Sequence, residues 1–268
     1  MTFPVTAGLA TDGRGLATQA VEAERTVVNT NATRDQRRAA GIRQQLIYRA
    51  LARQEAWEAD FFANLSPDVE PFARNNLAAA KAPLDPTLSK PVPAKDTLPA
   101  WRIREPLPVE ELRSYYDEAS ALTGIEWTYI AAINLVETRF GRIVGLSTSD
   151  AMGPMQFLPT TWNGFCEGDP WNDHDAIVCG ARYLQKRGGP ADMHRAIQGY
   201  NPNDMYERMV TSYAANLRAN PETLAGYHAW QIFFGTTAGV VRIPVGYNTA
   251  EPISAEQYLA ANPADRVA

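Results

Sequence analysis

Histidine and cysteine are scarce in this chain, with three and two in 268 residues, so little is available for a metal centre or thiol chemistry. Cys166, His174 and Cys179 could be combined on paper as zinc ligands, but their spacing fits no familiar zinc pattern. The Asp-rich stretch around residues 169–175 lacks the alternating ligands and central glycine of a calcium loop. No metal and no cofactor are therefore expected. There is no run of about eighteen apolar residues, which excludes a membrane span of the single-helix kind. A basic excess is also missing: the net charge is −5, and no basic strip interleaved with aromatics occurs, which argues against nucleic-acid binding. No repeat of solenoid period is evident.

What remains is enough for one substantial core and a smaller unit, since 45% of the residues are hydrophobic. The expected fold is mainly α, in three parts. Residues 1–81 form an N-terminal helical extension. Its first 30 residues are polar and weakly ordered; a long amphipathic helix then runs from about Ala32 to Leu65, and a shorter one from Val69 to Lys81. Ile42, Leu46, Ala50, Trp57 and Phe61 make the long helix's apolar stripe, which only Gln54 interrupts. Residues 82–108 are rich in proline and read as an extended linker. From 109 to 268 comes a second unit, with helices near 109–123, 127–138, 159–164, 174–187, 191–200 and 204–218. The β-branched, aromatic stretch from Tyr227 to Tyr247 predicts a β-hairpin.

Candidate chemistry is concentrated in this second unit. The segment Trp127–Val136 is apolar on nearly every side and ends at Glu137. A carboxyl against apolar neighbours is harder to ionise and can hold a proton near neutrality. Nineteen residues on comes Gln156, in Gly-Pro-Met-Gln-Phe-Leu-Pro, and then Tyr200-Asn201-Pro202. One acid near a glutamine loop and a Tyr-Asn turn is a way to build a glycan site around a single proton donor. A lone glutamate at a helix end is otherwise an ordinary solvated residue; its company gives it meaning.

That company resembles a known family. Glu137–Gly141 (Glu-Thr-Arg-Phe-Gly), Ser147–Trp162, Asp169–Ile177, Ala181–Leu184 and Tyr200–Tyr206 occur in the order of the transglycosylase SLT domain, over about Leu107–Leu217. The resemblance is nearest to membrane-bound lytic transglycosylase B-like enzymes of actinobacterial type. It implies a lysozyme-like helical fold and cleavage of the MurNAc-GlcNAc β-1,4 bond of peptidoglycan with formation of 1,6-anhydro-MurNAc. Glu137 would serve first as acid and then as base. Ser147 and Gln156 match positions that bind sugar hydroxyl and N-acetyl groups in the family. Tyr183, Tyr200 and Tyr206 offer faces for pyranose rings, or equally core packing. Asn201 is a ligand or simply serves the turn before Pro202.

One position departs from the pattern. Asp150-Ala151 stands where Gly-Ala is usual. Goose-type lysozymes share the fold and carry an acid in this neighbourhood, so an inverting muramidase that holds water on Asp150 is the alternative, provided the carboxyls stand about 6.5–9.5 Å apart. A turn aspartate bonded to local backbone is the plainer reading. A third possibility is a cell-wall-binding protein that has kept the site without turnover.

A Cys166–Cys179 disulfide would close a loop worth about 3 kcal/mol and fits an oxidising, extracytoplasmic location. Met1–Ala10 has no basic start followed by an apolar run, so an export leader is expected to be missing from the chain as given. Residues 1–100 hold 12 basic against 11 acidic side chains, and residues 101–268 hold 13 against 19. Arg34, Arg37, Arg38, Arg43, Arg49 and Arg53 fall on one expected helix, either as a solvated face or as an attraction to the anionic wall. The expected partners are peptidoglycan strands and, through the N-terminal helix, a cell-wall or divisome/elongation protein; the chain is expected to be a monomer.

Overall fold

The computed structural model describes residues 8–88 and 93–267. The fold is mainly helical, with a few small antiparallel strand pairs. Four helices come first: α1 (Gly13–Val28), α2 (Arg34–Leu51), α3 (Glu58–Ala63) and α4 (Glu70–Lys81). The two-residue strands β1 (Thr97–Leu98) and β2 (Arg102–Ile103) follow. The second helical unit then runs through α5 (Val109–Thr123), α6 (Trp127–Thr138), β3 (Ile143–Val144), α7 (Pro159–Phe165), α8 (Asp173–Lys186), α9 (Met193–Tyr200), α10 (Asp204–Ala219) and α11 (Thr223–His228). The C-terminal part is β4 (Ile232–Thr236), β5 (Gly239–Ile243), β6 (Ile253–Ser254), α12 (Ala255–Ala261) and β7 (Arg266–Val267).

Several expectations from the sequence need correction. Residues 13–28, expected to be weakly ordered, form α1, because Leu16, Ala17, Ala20, Ala23 and Val27 recur at helical spacing and are buried. Asp12 caps the helix by accepting from the Gly15 N–H at 2.7 Å. The remaining part of that expectation, residues 1–7, lies outside the described residues. The single helix expected from 32 to 65 is two, parted after Leu51 by a turn and a short 3-10 segment at Glu55–Trp57. This break lets Phe61 turn into the core formed by α1, α2 and α4. The Pro-rich segment is not a bare connector. β1 pairs with β6 in the register Leu98↔Ile253, and β2 pairs with β3 as Ile103↔Ile143. Residues 89–92 of that segment lie outside the described residues. The expected hairpin is narrower than 227–247, being β4 and β5 in register Ile232↔Ile243, with β7 on its edge, while 227–228 close α11.

In this second unit the helices fall within one or two residues of the expected ends. The reason is punctuation: Gly124, at φ 74°, stops α5; Asn172 caps α8 by accepting from the Asp175 N–H at 3.1 Å; and Asn203 caps α10. Between them α6 is enclosed, with Ile130, Ala131, Ala132, Ile133 and Leu135 fully buried against α5, α8 and α10.

The N-terminal helices are joined to this unit through a buried polar network. Tyr48 and Asn76 both donate to one oxygen of Glu24, at 2.7 and 3.0 Å, and Gln44 donates to the other at 2.8 Å. Asn76 in turn accepts from Tyr227 of α11 at 2.6 Å and from Asn216 of α10 at 3.1 Å. Burial pushes the Glu24 carboxyl up from its ordinary range, only partly offset by these donors. Replacing Asn76 by Ala leaves the buried Tyr227 hydroxyl without its acceptor and takes one donor from Glu24 and one acceptor from Asn216, so Asn76→Ala should lower the unfolding free energy by about 1–3 kcal/mol. Urea unfolding measures this, and a change within 0.5 kcal/mol, the usual scale of a surface substitution, would show that the network does not join the two parts.

Candidate active site around Glu137

Glu137 sits in the last turn of α6, where the backbone reverses abruptly. Arg139 (φ 54°), Phe140 (φ 63°) and Gly141 (φ 73°) are consecutive left-handed residues. For Arg139 and Phe140 this conformation costs roughly 1–2 kcal/mol each. Their surroundings hold it in place. Phe140 is fully buried, its N–H reaches the Asn134 carbonyl at 3.1 Å, and the Gly141 N–H reaches the Thr138 hydroxyl at 2.9 Å. A side chain at Gly141 would meet Asp173 at 2.4 Å, so the turn accepts only glycine there. Arg104 braces it from outside, donating to the Gly141 carbonyl at 2.8 Å and to Asp173 at 2.5 Å.

The Gln156 loop is fastened to the same helix. Asn134 and Thr138 both donate to the Pro154 carbonyl, at 2.8 and 2.7 Å, and Tyr116 donates to Asn134 at 2.6 Å. Met152 and Phe157 pair across the loop, and Gln156 takes φ 50° at its tip. A Cβ on Gly153 would lie 1.7 Å from the Pro170 carbonyl oxygen, so this contact also requires glycine. From the other side Tyr200 donates to the Met155 carbonyl at 2.6 Å.

Around this frame Glu137 is largely enclosed yet keeps partial exposure. Tyr206 donates to its Oε1 at 2.7 Å. Tyr206 and Tyr200 stack at 6.3 Å between centroids with planes 7° apart. Burial drives the Glu137 carboxyl up from 4.5 to about 7, against the pull of the Tyr206 hydroxyl, which favours the charged form. Among the described residues no second carboxylate perturbs it.

The expected site residues divide by position. Glu137, Tyr206, Tyr200 and the loop bearing Gln156 come together. The Gln156 amide donates to the Gly153 carbonyl at 2.8 Å, and its oxygen has no hydrogen-bond donor among the described residues. Tyr183 is packed between Phe157, Phe165 and Tyr200, and its hydroxyl accepts from Arg187, so its place is in the core. Ser147 closes a turn by accepting from the N–H groups of Ser149 and Ala151 at 3.1 and 3.0 Å. Asp150 stands exposed in that turn at φ 61°, its N–H on the Ser147 carbonyl. Asn201 ends α9 and has no side-chain hydrogen bond among the described residues. Cys166 and Cys179 are disulfide-bonded with Cα atoms 5.5 Å apart, so neither is available as a thiolate ligand. His174 instead pairs with Glu118 at 3.0 Å. Asn134 and Thr138 were missed from the sequence; polar residues within a mostly apolar helix were the available sign. A cavity of about 910 Å³ lies elsewhere, between α2, the approach to α5 and α11, and none of the expected site residues lines it.

With the geometry established, similarity to known proteins adds a direction. An 81-residue stretch, 30% of this chain, is 33% identical to "Membrane-bound lytic murein transglycosylase F" of Thiobacillus denitrificans. This likeness supports a lytic transglycosylase family. It does not reach the B-like type, and the matched stretch covers only 17% of that relative's length. The chain matches no family profile. No solved structure matches it.

The raised carboxyl has a consequence for stability. Between pH 4.5 and 7 the folded protein holds a proton on Glu137 that the unfolded chain releases, so stability falls as pH rises through this window. Glu137→Gln removes that loss. The variant should match the wild type near pH 4 and exceed it by about 1–3 kcal/mol at pH 8, allowing for partial exposure. Thermal unfolding at both pH values tests this; a difference independent of pH would contradict it.

Proposed function

We propose that the protein is a peptidoglycan lytic transglycosylase that uses Glu137 as its only catalytic carboxyl. The observation that carries this reading is the enclosed Glu137, protonated up to about pH 7 and joined through Tyr206 and Tyr200 to the Gln156 loop. The partial likeness to a murein transglycosylase supports it. Glu137 gives its proton to the oxygen linking N-acetylmuramic acid to N-acetylglucosamine as that bond breaks. The resulting carboxylate then takes the proton of the muramic acid 6-hydroxyl as its oxygen bonds to the anomeric carbon, which closes the 1,6-anhydro ring and returns Glu137 to its starting form. The nucleophile belongs to the substrate, so its effective concentration is high and no second carboxylate is needed. Gln156, Ser147 and Asn201 are assigned to sugar hydroxyl and N-acetyl groups, and Tyr200 and Tyr206 to positioning the acid and the loop. The working location is extracytoplasmic, where peptidoglycan lies, and the B-like actinobacterial type remains the assigned subclass. The N-terminal helices are assigned as the place where a wall-synthesis partner attaches.

Asp150 gains nothing from its position: it is exposed, in a turn made by local backbone bonds. Purified peptidoglycan digested by wild type and Glu137→Gln tests the assignment, with an expected loss of about 10²–10⁴-fold. Equal turnover by the two would sink it. The reaction should also slow above about pH 7 as Glu137 ionises. Because the Tyr206 hydroxyl favours the carboxylate, Tyr206→Phe should move that decline to higher pH. A decline that stays in place would show that Tyr206 does not set the acid.

A further inference from the structure

The six N-terminal arginines have different fates. Arg37 and Arg38 are paired, with Glu222 at 2.5 Å and Glu105 at 2.9 Å. Arg49 and Arg53 have no carboxylate within ion-pair distance among the described residues, and neither does Arg139 of the catalytic turn. The three gather about the stretch Trp230–Phe233 that leads into β4, where Arg49 feels the charges of both Arg53 and Arg139. The Arg49 guanidinium lies over the Phe233 ring at 4.3 Å, and that of Arg139 over Trp230 at 5.9 Å. Arg53 is linked to Arg49 by donating to its carbonyl at 2.9 Å.

Each guanidinium carries five N–H donors. Arg139 uses one on the Leu135 carbonyl, Arg53 uses one on Arg49, and Arg49 uses none among the described residues. None of their nitrogens is a buried, unpartnered atom, so the unused donors remain reachable from solvent. Stacking on an aromatic face fixes a guanidinium plane while leaving its edge open, the form in which arginine takes a carboxylate or phosphate. Like charges gathered without a counter-charge repel one another, and a bound anion would relieve this. Consistent with that, burial, then Arg53 and Arg139, bring Arg49 down to about 10.

We infer that Arg49, Arg53 and Arg139 form a binding site for an oxyanion, a carboxylate or phosphate group, with Phe233 and Trp230 as its walls. Its place relative to Glu137 is set by α10. Tyr206 touches Glu137, while Tyr213 meets Trp230 edge-to-face at 5.5 Å between centroids, and the two tyrosines are two turns apart, about 10 Å, along one helix. The site therefore lies within reach of a substituent on a glycan held at Glu137. It is built jointly by the N-terminal helices and the catalytic turn, which gives those helices a part in substrate selection. The source of the anion rests on the glycan reading above; anion binding itself does not.

Calorimetric titration of the full-length protein tests this with three probes: inorganic phosphate, a muramyl peptide bearing free carboxylates, and neutral chitotetraose. The anionic probes should bind with an affinity that falls as sodium chloride is added. Arg53→Met, at an exposed position, and the double variant Arg49→Met/Arg53→Met should each weaken that binding at least tenfold and leave chitotetraose binding unchanged. Phosphate should raise the Tm of the wild type and not that of the double variant. Binding of phosphate alone assigns a phosphodiester of a wall polymer as the source, and binding of the muramyl peptide alone assigns the peptide carboxylate. If neither anion binds, or both bind the variants as they bind the wild type, the proposal is overturned. Failure of chitotetraose alone to bind would instead count against the glycan reading.

Discussion

The carbonyl of Pro154 is the point on which the candidate site depends. It accepts from both Asn134 and Thr138, two buried polar side chains on a mostly apolar helix. In that setting an unmade hydrogen bond costs the full desolvation of the group, so the loop has one favourable position relative to α6. Everything else in the site follows from this register. Gln156 is two residues beyond the anchor, Tyr200 reaches the Met155 carbonyl between them, and Tyr206 stacks on Tyr200 to meet Glu137. The left-handed turn at Arg139 and Phe140 is held by the same helix end, its strain opposed by the burial of Phe140 and by Arg104.

A second polar network works at larger scale. Glu24, Gln44, Tyr48 and Asn76 face Asn216 and Tyr227, with Trp230 donating to Gln44 at 3.1 Å. Such a network gives one docking geometry where apolar contact alone would allow several. It sets the end of α2 against the turn after α6, and so brings Arg49 and Arg53 to Arg139. The N-terminal helices thus have a structural reason to stay with the unit that carries the candidate site, and the proposed anion site gives them a chemical one.

Much of the unit that carries the candidate site was legible in the sequence, because its helices are marked by local signs: the apolar run before Glu137, Gly124, Asn172 and Asn203. The disulfide was legible from the presence of only two cysteines. Less visible was anything set by tertiary contact. The order of residues 13–28 comes from burying small side chains such as Ala17 and Ala20, which carry a weak pattern. The break after Leu51 follows from packing Phe61 into the α1–α4 core. Tyr183 and Tyr206 look alike in sequence, yet one packs among aromatic rings and the other meets the acid. The meeting of Arg139 with Arg49, ninety residues earlier, has no local sign at all.

The central claim is that Glu137 acts alone, with the substrate's own hydroxyl as nucleophile. Mass spectrometry of the products of peptidoglycan digested in oxygen-18 water bears on it most directly. Anhydro-muropeptides free of label are the expected result. Reducing muramic acid ends carrying the label would contradict it, since water, held by some second group such as Asp150, would then be the nucleophile.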